Sequence, residues 1–106
     1  GGSWMGISHA LYETTEPYYP NRDHGGTDFG EYVMPGPGDL AKTEIVVLER
    51  PSGDGPYGAK GPGEMCANPQ IPAVANAIFD AVGVRVDTLP ITPERVLRAI
   101  KEQRAA

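Results

Sequence analysis

The sequence predicts an α+β chain in which three helices and short strands are joined by a long glycine- and proline-rich middle. Three observations carry that prediction. Apolar residues recur at helical spacing near both ends. The run Ile45-Val46-Val47-Leu48, β-branched or aliphatic throughout, reads as a strand. The 14 glycines and 11 prolines are densest between Pro17 and Pro72, where regular structure gives way to turns.

Taken in order, residues 3–13 form the first expected helix, with Trp4, Ile7, Ser8 and Leu11 at i, i+3, i+4, i+7 and with Met5 and Tyr12 widening the stripe. Thr14-Thr15 weaken it and Pro17 must end it. The polar run Asn21-Arg22-Asp23-His24-Gly25-Gly26-Thr27-Asp28 is turn chemistry. Residues 29–34 are expected as a short strand stopped by Pro35-Gly36-Pro37-Gly38. Residues 43–49 are the clearest strand, apolar on both faces, as in a strand covered on both sides or one completing a larger sheet. Pro72 opens a second helix with Val74, Ala75, Ile78, Ala81 and Val82 on one face and Gly83 placed to end it in the left-handed conformation. Residues 84–88 are a further short strand. Thr92 then caps a third helix with Pro93 at its first position; Val96, Leu97 and Ile100 form its apolar face.

A chain of 106 residues makes one domain with a modest core. The net charge of -5 and the lack of a basic stripe disfavour a nucleic-acid partner. No apolar run reaches the length of a membrane span, and Gly1-Gly2-Ser3-Trp4 does not open like a secretory leader, so the expected location is cytoplasmic. The first residue is not methionine, which suggests a processed chain or a piece of a longer one. Cys66, a lone cysteine, excludes an internal disulfide and any all-cysteine zinc or iron–sulfur site in this chain. Such a residue is most often a small buried hydrophobe.

The stretch Gly55-Pro56-Tyr57-Gly58-Ala59-Lys60-Gly61-Pro62-Gly63-Glu64 carries the most chemistry. Glycines let backbone approach a neighbour closely and prolines stiffen the path, so the loop holds one acid in one place. A tight structural turn accounts for such a cluster more often than a site does. Gly53-x-Gly55-x-x-Gly58 matches the dinucleotide fingerprint in letters, but the residues after Gly58 cannot open the helix that the fingerprint needs. Asp23, His24 and Asp28 fit a solvated turn better than a metal site, and no metal ligands are assigned. His9 fits a satisfied core or interface position better than a catalytic one, and Tyr12, Tyr18, Tyr19 and Tyr32 read as packing and interface residues. Glu64, followed by the apolar Met65-Cys66, suits a partly dry pocket in which desolvation would favour the neutral acid and so a proton acceptor. A surface glutamate without a role is the equal alternative on these grounds.

Three blocks in one order bear a family likeness: Gly55 to Glu64, the segment Pro72-Ala73-Val74-Ala75-Asn76-Ala77-Ile78, and Leu89-Pro90-Ile91-Thr92-Pro93-Glu94-Arg95-Val96-Leu97. They resemble the C-terminal end of the molybdopterin-binding large subunit of the xanthine dehydrogenase/aldehyde oxidase family. Gly6-Ile7-Ser8-His9-Ala10-Leu11-Tyr12-Glu13 and residues 28–35 look like the preceding elements. The resemblance implies that residues 1–106 are the C-terminal portion of a larger molybdopterin-binding domain. Its reaction would be the oxidative hydroxylation of an aldehyde or N-heterocycle with water as oxygen source. Glu64 would act as general base, and Gly61 and Gly63 would let backbone approach the cofactor.

The implied cofactor is molybdenum–molybdopterin, with the cytosine dinucleotide form among its variants, held by the full complex and not by the isolated chain. The implied partners are the rest of the subunit, iron–sulfur and flavin subunits or domains, and a small-molecule substrate. Pro62, Met65-Cys66 and Asn68-Pro69-Gln70 depart from the family pattern beside the catalytic position, which leaves the substrate open. The isolated chain is expected to be inactive and to self-associate through its apolar strand. Two other classes remain: a non-catalytic interaction module completing a larger subunit, and a stand-alone small-ligand-binding α+β domain.

Overall fold

The computed structural model describes residues 1–14, 28–30 and 32–106. The polar run of Asp23 and His24, and Tyr18, Tyr19 and the helix stop at Pro17, lie outside the described residues. Among the described residues there are three α-helices, α1 (Gly2–Leu11), α2 (Gln70–Val82) and α3 (Pro93–Ala105), with single 3-10 turns at Pro37–Asp39 and Pro56–Gly58.

All three helices match the expected segments, with shifted ends. α1 closes at Leu11, where the Tyr12 and Glu13 amides both donate to the Ser8 carbonyl. α2 begins at Gln70, ahead of Pro72, because proline is tolerated within a first turn whose amides have no helical acceptor. It ends at Gly83, in the left-handed conformation at φ 74° with its amide on the Phe79 carbonyl. α3 starts as the sequence predicts: the Thr92 hydroxyl accepts the Arg95 amide at 3.3 Å and Pro93 occupies the first turn.

The expected strands are not observed. Among the described residues none is in a strand, so the described part is helical and irregular instead of α+β. A strand exists only through pairing, and these segments find no partner among the described residues. Ile45, Val46, Val47 and Leu48 are 74–84% exposed. Phe29 is fully exposed beside a turn in which the Tyr32 amide donates to the Asp28 carbonyl. Residues 84–88 run without regular structure from α2 to the α3 cap.

The packed centre is small. Among the described residues Ala10, Val84, Pro90 and Ile91 are buried, accompanied by Gly6, Ser8 and Thr92. α1 lies against α2 through small side chains, burying Gly6, Ser8 and Ala10 while its bulkier Trp4, Ile7 and Leu11 are only half-buried. The Ile91 amide donates to the Ala10 carbonyl at 2.7 Å, which ties the end of α1 to the segment before α3. Gln103 Nε2 donates to the Gly83 carbonyl at 3.0 Å and fastens the far end of α3 to the end of α2. Between the helices an apolar groove of about 480 Å³ stays open, lined by Leu11, Tyr12, Ile78, Ile91, Val96 and Ile100. The radius of gyration is 17.4 Å, against about 13 Å for a compact chain of this length. Much of the apolar surface that a single domain would bury is therefore uncovered.

Candidate functional site

The loop from Pro51 to Gln70 is built in two parts. In the first, the Ser52 amide donates to the Gly58 carbonyl and the Gly58 amide donates to that of Gly55, folding the loop onto itself. Tyr57 (φ 55°, ψ 22°) and Gly58 (φ 77°) are both left-handed, and the Ala59 amide closes this turn onto the Pro56 carbonyl at 3.0 Å. Left-handed backbone is costly for a tyrosine, and its side chain projects wholly into solvent. A Cβ at Gly55 would strike the Ala59 carbonyl oxygen, so glycine there serves the loop's own packing.

The second part carries the acid. Gly63 is left-handed at φ 54°, which turns the chain so that the Glu64 carbonyl accepts the Ala67 amide at 2.9 Å and the Asn68 amide at 3.2 Å. This turn leads into α2 and is clamped from the other side by α1. A Cβ at Gly2 would lie 2.6 Å from Cys66 Cβ, and one at Gly6 would strike the Ala67 carbonyl oxygen. The small face of α1 thus seats the turn that presents Glu64. Its signal in the sequence is the small-residue spacing Gly2, Gly6, Ala10, which the apolar-stripe reading passed over.

The Glu64 side chain is exposed and, among the described residues, makes no hydrogen bond or ion pair. The partly dry pocket expected around it is not formed by this chain. Gly61 and Gly63 flank an open space: a Cβ at either position would meet nothing within 4 Å. Gly63 is required by its backbone conformation, whereas nothing in the chain requires glycine at 61.

Beside this turn lies a depression of about 540 Å³, bounded by Leu48, Arg50, Tyr57, Lys60, Pro62 and Met65. Its lining is mixed, with Arg50, Lys60 and the Glu49 carboxylate among apolar side chains. Cys66 is exposed and touches α1, so it is not the buried hydrophobe expected.

The remaining candidates separate. Asp28 accepts the Gly30 amide at 2.8 Å in a local turn. His9 is half-exposed, with Nε2 3.4 Å from the Glu13 carboxylate, and is not a core residue. The other Glu13 oxygen accepts the Tyr32 hydroxyl at 3.0 Å. Desolvation first, and then the hydrogen bond and negative charge of Glu13, raise the Tyr32 phenol above its ordinary value. Among the described residues no three His, Cys, Asp or Glu side chains converge as metal ligands. No described helix is long and apolar enough to cross a membrane.

No protein-family model matches the chain. It is 39% identical over 101 residues to the aldehyde oxidoreductase of Megalodesulfovibrio gigas, covering 95% of this chain and 11% of that protein. It is 34% identical over 96 residues to a putative xanthine dehydrogenase molybdenum-binding subunit of Escherichia coli, covering 91% of this chain and 13% of that subunit. Among solved structures, it matches quinoline 2-oxidoreductase from Pseudomonas putida at a TM-score of 0.78 and 33% identity, across 96% of this chain and 13% of the other. The chain therefore spans 11–13% of the length of these relatives. Over nearly its whole length, the chain is homologous to a segment of the molybdenum-binding subunits of the xanthine dehydrogenase/aldehyde oxidoreductase family.

Proposed function

We propose that this chain is the C-terminal portion of a cytoplasmic molybdenum hydroxylase subunit and supplies its general base, Glu64, for oxidative hydroxylation of an aldehyde or N-heterocycle with water as oxygen source. The observation that carries the proposal is the presentation of Glu64. One carboxylate without a partner among the described residues stands on a turn fixed from both sides, next to two glycines that face open space.

These residues fit a bulky cofactor. Gly61 and Gly63 leave room for one to approach the backbone, and Glu64 has its acceptor oxygens free. The molybdenum–molybdopterin group, when bound, supplies the two-electron redox chemistry and acidifies the oxygen to be transferred. Glu64 then accepts that proton, provided the rest of the subunit covers it and excludes bulk water. The left-handed Gly63 and the turn after it fix where the carboxylate enters the site, and the α1 contact at Gly6 keeps that turn from shifting. Pro62 and Met65, on the wall of the adjoining depression, would bear on substrate choice.

On this reading the remainder of the subunit holds most of the pterin, in its cytosine dinucleotide or simpler form. Iron–sulfur and flavin partners carry the electrons away, and the isolated chain is inactive. The test is Glu64→Gln in the full-length subunit. Hydroxylation is expected to fall by a factor of about 10² or more, as for loss of a general base, with molybdenum content unchanged. Hydroxylation at the parent rate in a molybdenum-loaded variant would refute the assignment.

A further inference from the structure

Residues 44–50 combine two deficits that have one remedy. Among the described residues their backbone amides and carbonyls make no hydrogen bond. The four consecutive apolar side chains Ile45, Val46, Val47 and Leu48 are 74–84% exposed. Unsatisfied backbone is tolerated in water and not in a protein interior, so whatever covers these side chains must also pair the backbone. Successive side chains of an extended segment point to opposite faces, and here both faces are apolar, so both must be covered. An edge strand lying over solvent would alternate apolar with polar residues. Charge stands only at the margins, in Lys42 and Glu44 before the run and in Glu49 and Arg50 after it.

We propose that residues 44–50 dock as an interior strand between two strands of the remaining polypeptide of the same subunit, with apolar layers on both faces. This rests on the reading that the chain is part of a molybdenum hydroxylase subunit. Relatives are some eight times longer than the chain, since it spans 11–13% of them, which supplies ample polypeptide to pair with. A second copy of the chain could satisfy only one edge of the segment. The docked strand would also fix the loop that follows, because Leu48, Glu49, Arg50 and Pro51 form one wall of the depression beside the Glu64 turn. The strand is then the anchor by which the body of the subunit sets the position of that loop.

Residue-resolved hydrogen exchange on the full-length subunit, with molybdenum measured on the same preparation, tests the proposal. The amides of consecutive residues from Ile45 to Leu48 are expected to exchange at least about a hundredfold more slowly than free-chain rates, because both edges are paired. Slow exchange at every second residue would reveal pairing on one edge and overturn the interior position. Protection that grows with protein concentration would make a second copy the occupant and overturn the proposal. Free-chain rates in a molybdenum-loaded subunit would overturn the docking while leaving the family reading intact. Protected amides in a subunit that holds no molybdenum would uphold the docking and count against the family reading alone.

Discussion

Gly6→Ala tests whether the small face of α1 holds the Glu64 turn in place. A methyl at position 6 would lie 2.6 Å from Gln70 Cβ and 2.7 Å from its Cγ, and closer still to the Ala67 carbonyl oxygen. Carbon contacts settle at about 3.5–4.0 Å, so α1 and the turn must part by about 1 Å. Overpacking of this kind costs about 1–3 kcal/mol. The upper end applies because the obstacle includes a backbone carbonyl, which cannot swing aside as a side chain would. Alanine in place of a mid-helix glycine returns about 1 kcal/mol of helix propensity. The net loss is about 2 kcal/mol, equivalent to roughly thirtyfold faster local opening at 1.4 kcal/mol per tenfold.

The assay is amide hydrogen exchange in the full-length subunit. It is read at Ala67 and Asn68, whose amides bond to the Glu64 carbonyl, and along α1. Gly38→Ala, where a Cβ meets nothing within 4 Å, is the control. Exchange at Ala67 and Asn68 that is unchanged or slower in Gly6→Ala would show that the contact does not hold the turn.

Further outcomes follow from individual side chains. Gly61→Ala should leave thermal stability within about 0.5 kcal/mol of the parent yet lower hydroxylation, since the space beside it is open only within this chain. Gly63→Ala should cost about 1–2 kcal/mol of stability in chemical denaturation, because φ 54° is strained for any residue with a Cβ. The Ser8 hydroxyl is buried without a hydrogen-bond partner, so Ser8→Ala should be neutral or stabilising in the same measurement. The Tyr32 phenol, raised by desolvation and by Glu13, should ionise above the ordinary value of 10.0 in a spectroscopic titration of parent against Tyr32→Phe. Glu13→Gln should bring that midpoint down. Because the folded value is the higher one, this linkage stabilises the fold below the ordinary tyrosine range and is lost as pH rises through the raised midpoint.

Helix positions were legible because they rest on local chemistry. The Thr92-Pro93 start and the Gly83 stop are set by caps and backbone preference within a few residues, and the structure has both. The Glu64 turn was legible as a place where glycines gather, but the reason for each glycine was not. Gly55 clears the Ala59 carbonyl, Gly63 supplies a left-handed backbone, and Gly61 does neither within this chain. Composition cannot separate those three roles, because each depends on what stands opposite the missing side chain.

Strands were the systematic error, and its cause is physical. The residues at 45–48 have the β-branched, apolar character of a strand, yet a strand is completed by hydrogen bonds to another segment, which the described residues do not supply. The sequence by itself determined which segments are helical, where α2 stops and α3 starts, and that one acid ends a stiff loop, all properties written in neighbouring residues. Tertiary structure alone decided that α1 buries Gly6, Ser8 and Ala10 instead of its bulkier side chains, with Gly6 in close approach to the turn after Glu64 and the Ala10 carbonyl bonded to the Ile91 amide. It also decided that Glu64, Met65 and the run from Ile45 to Leu48 face outward, because burial depends on what lies opposite a side chain, and here no described segment does.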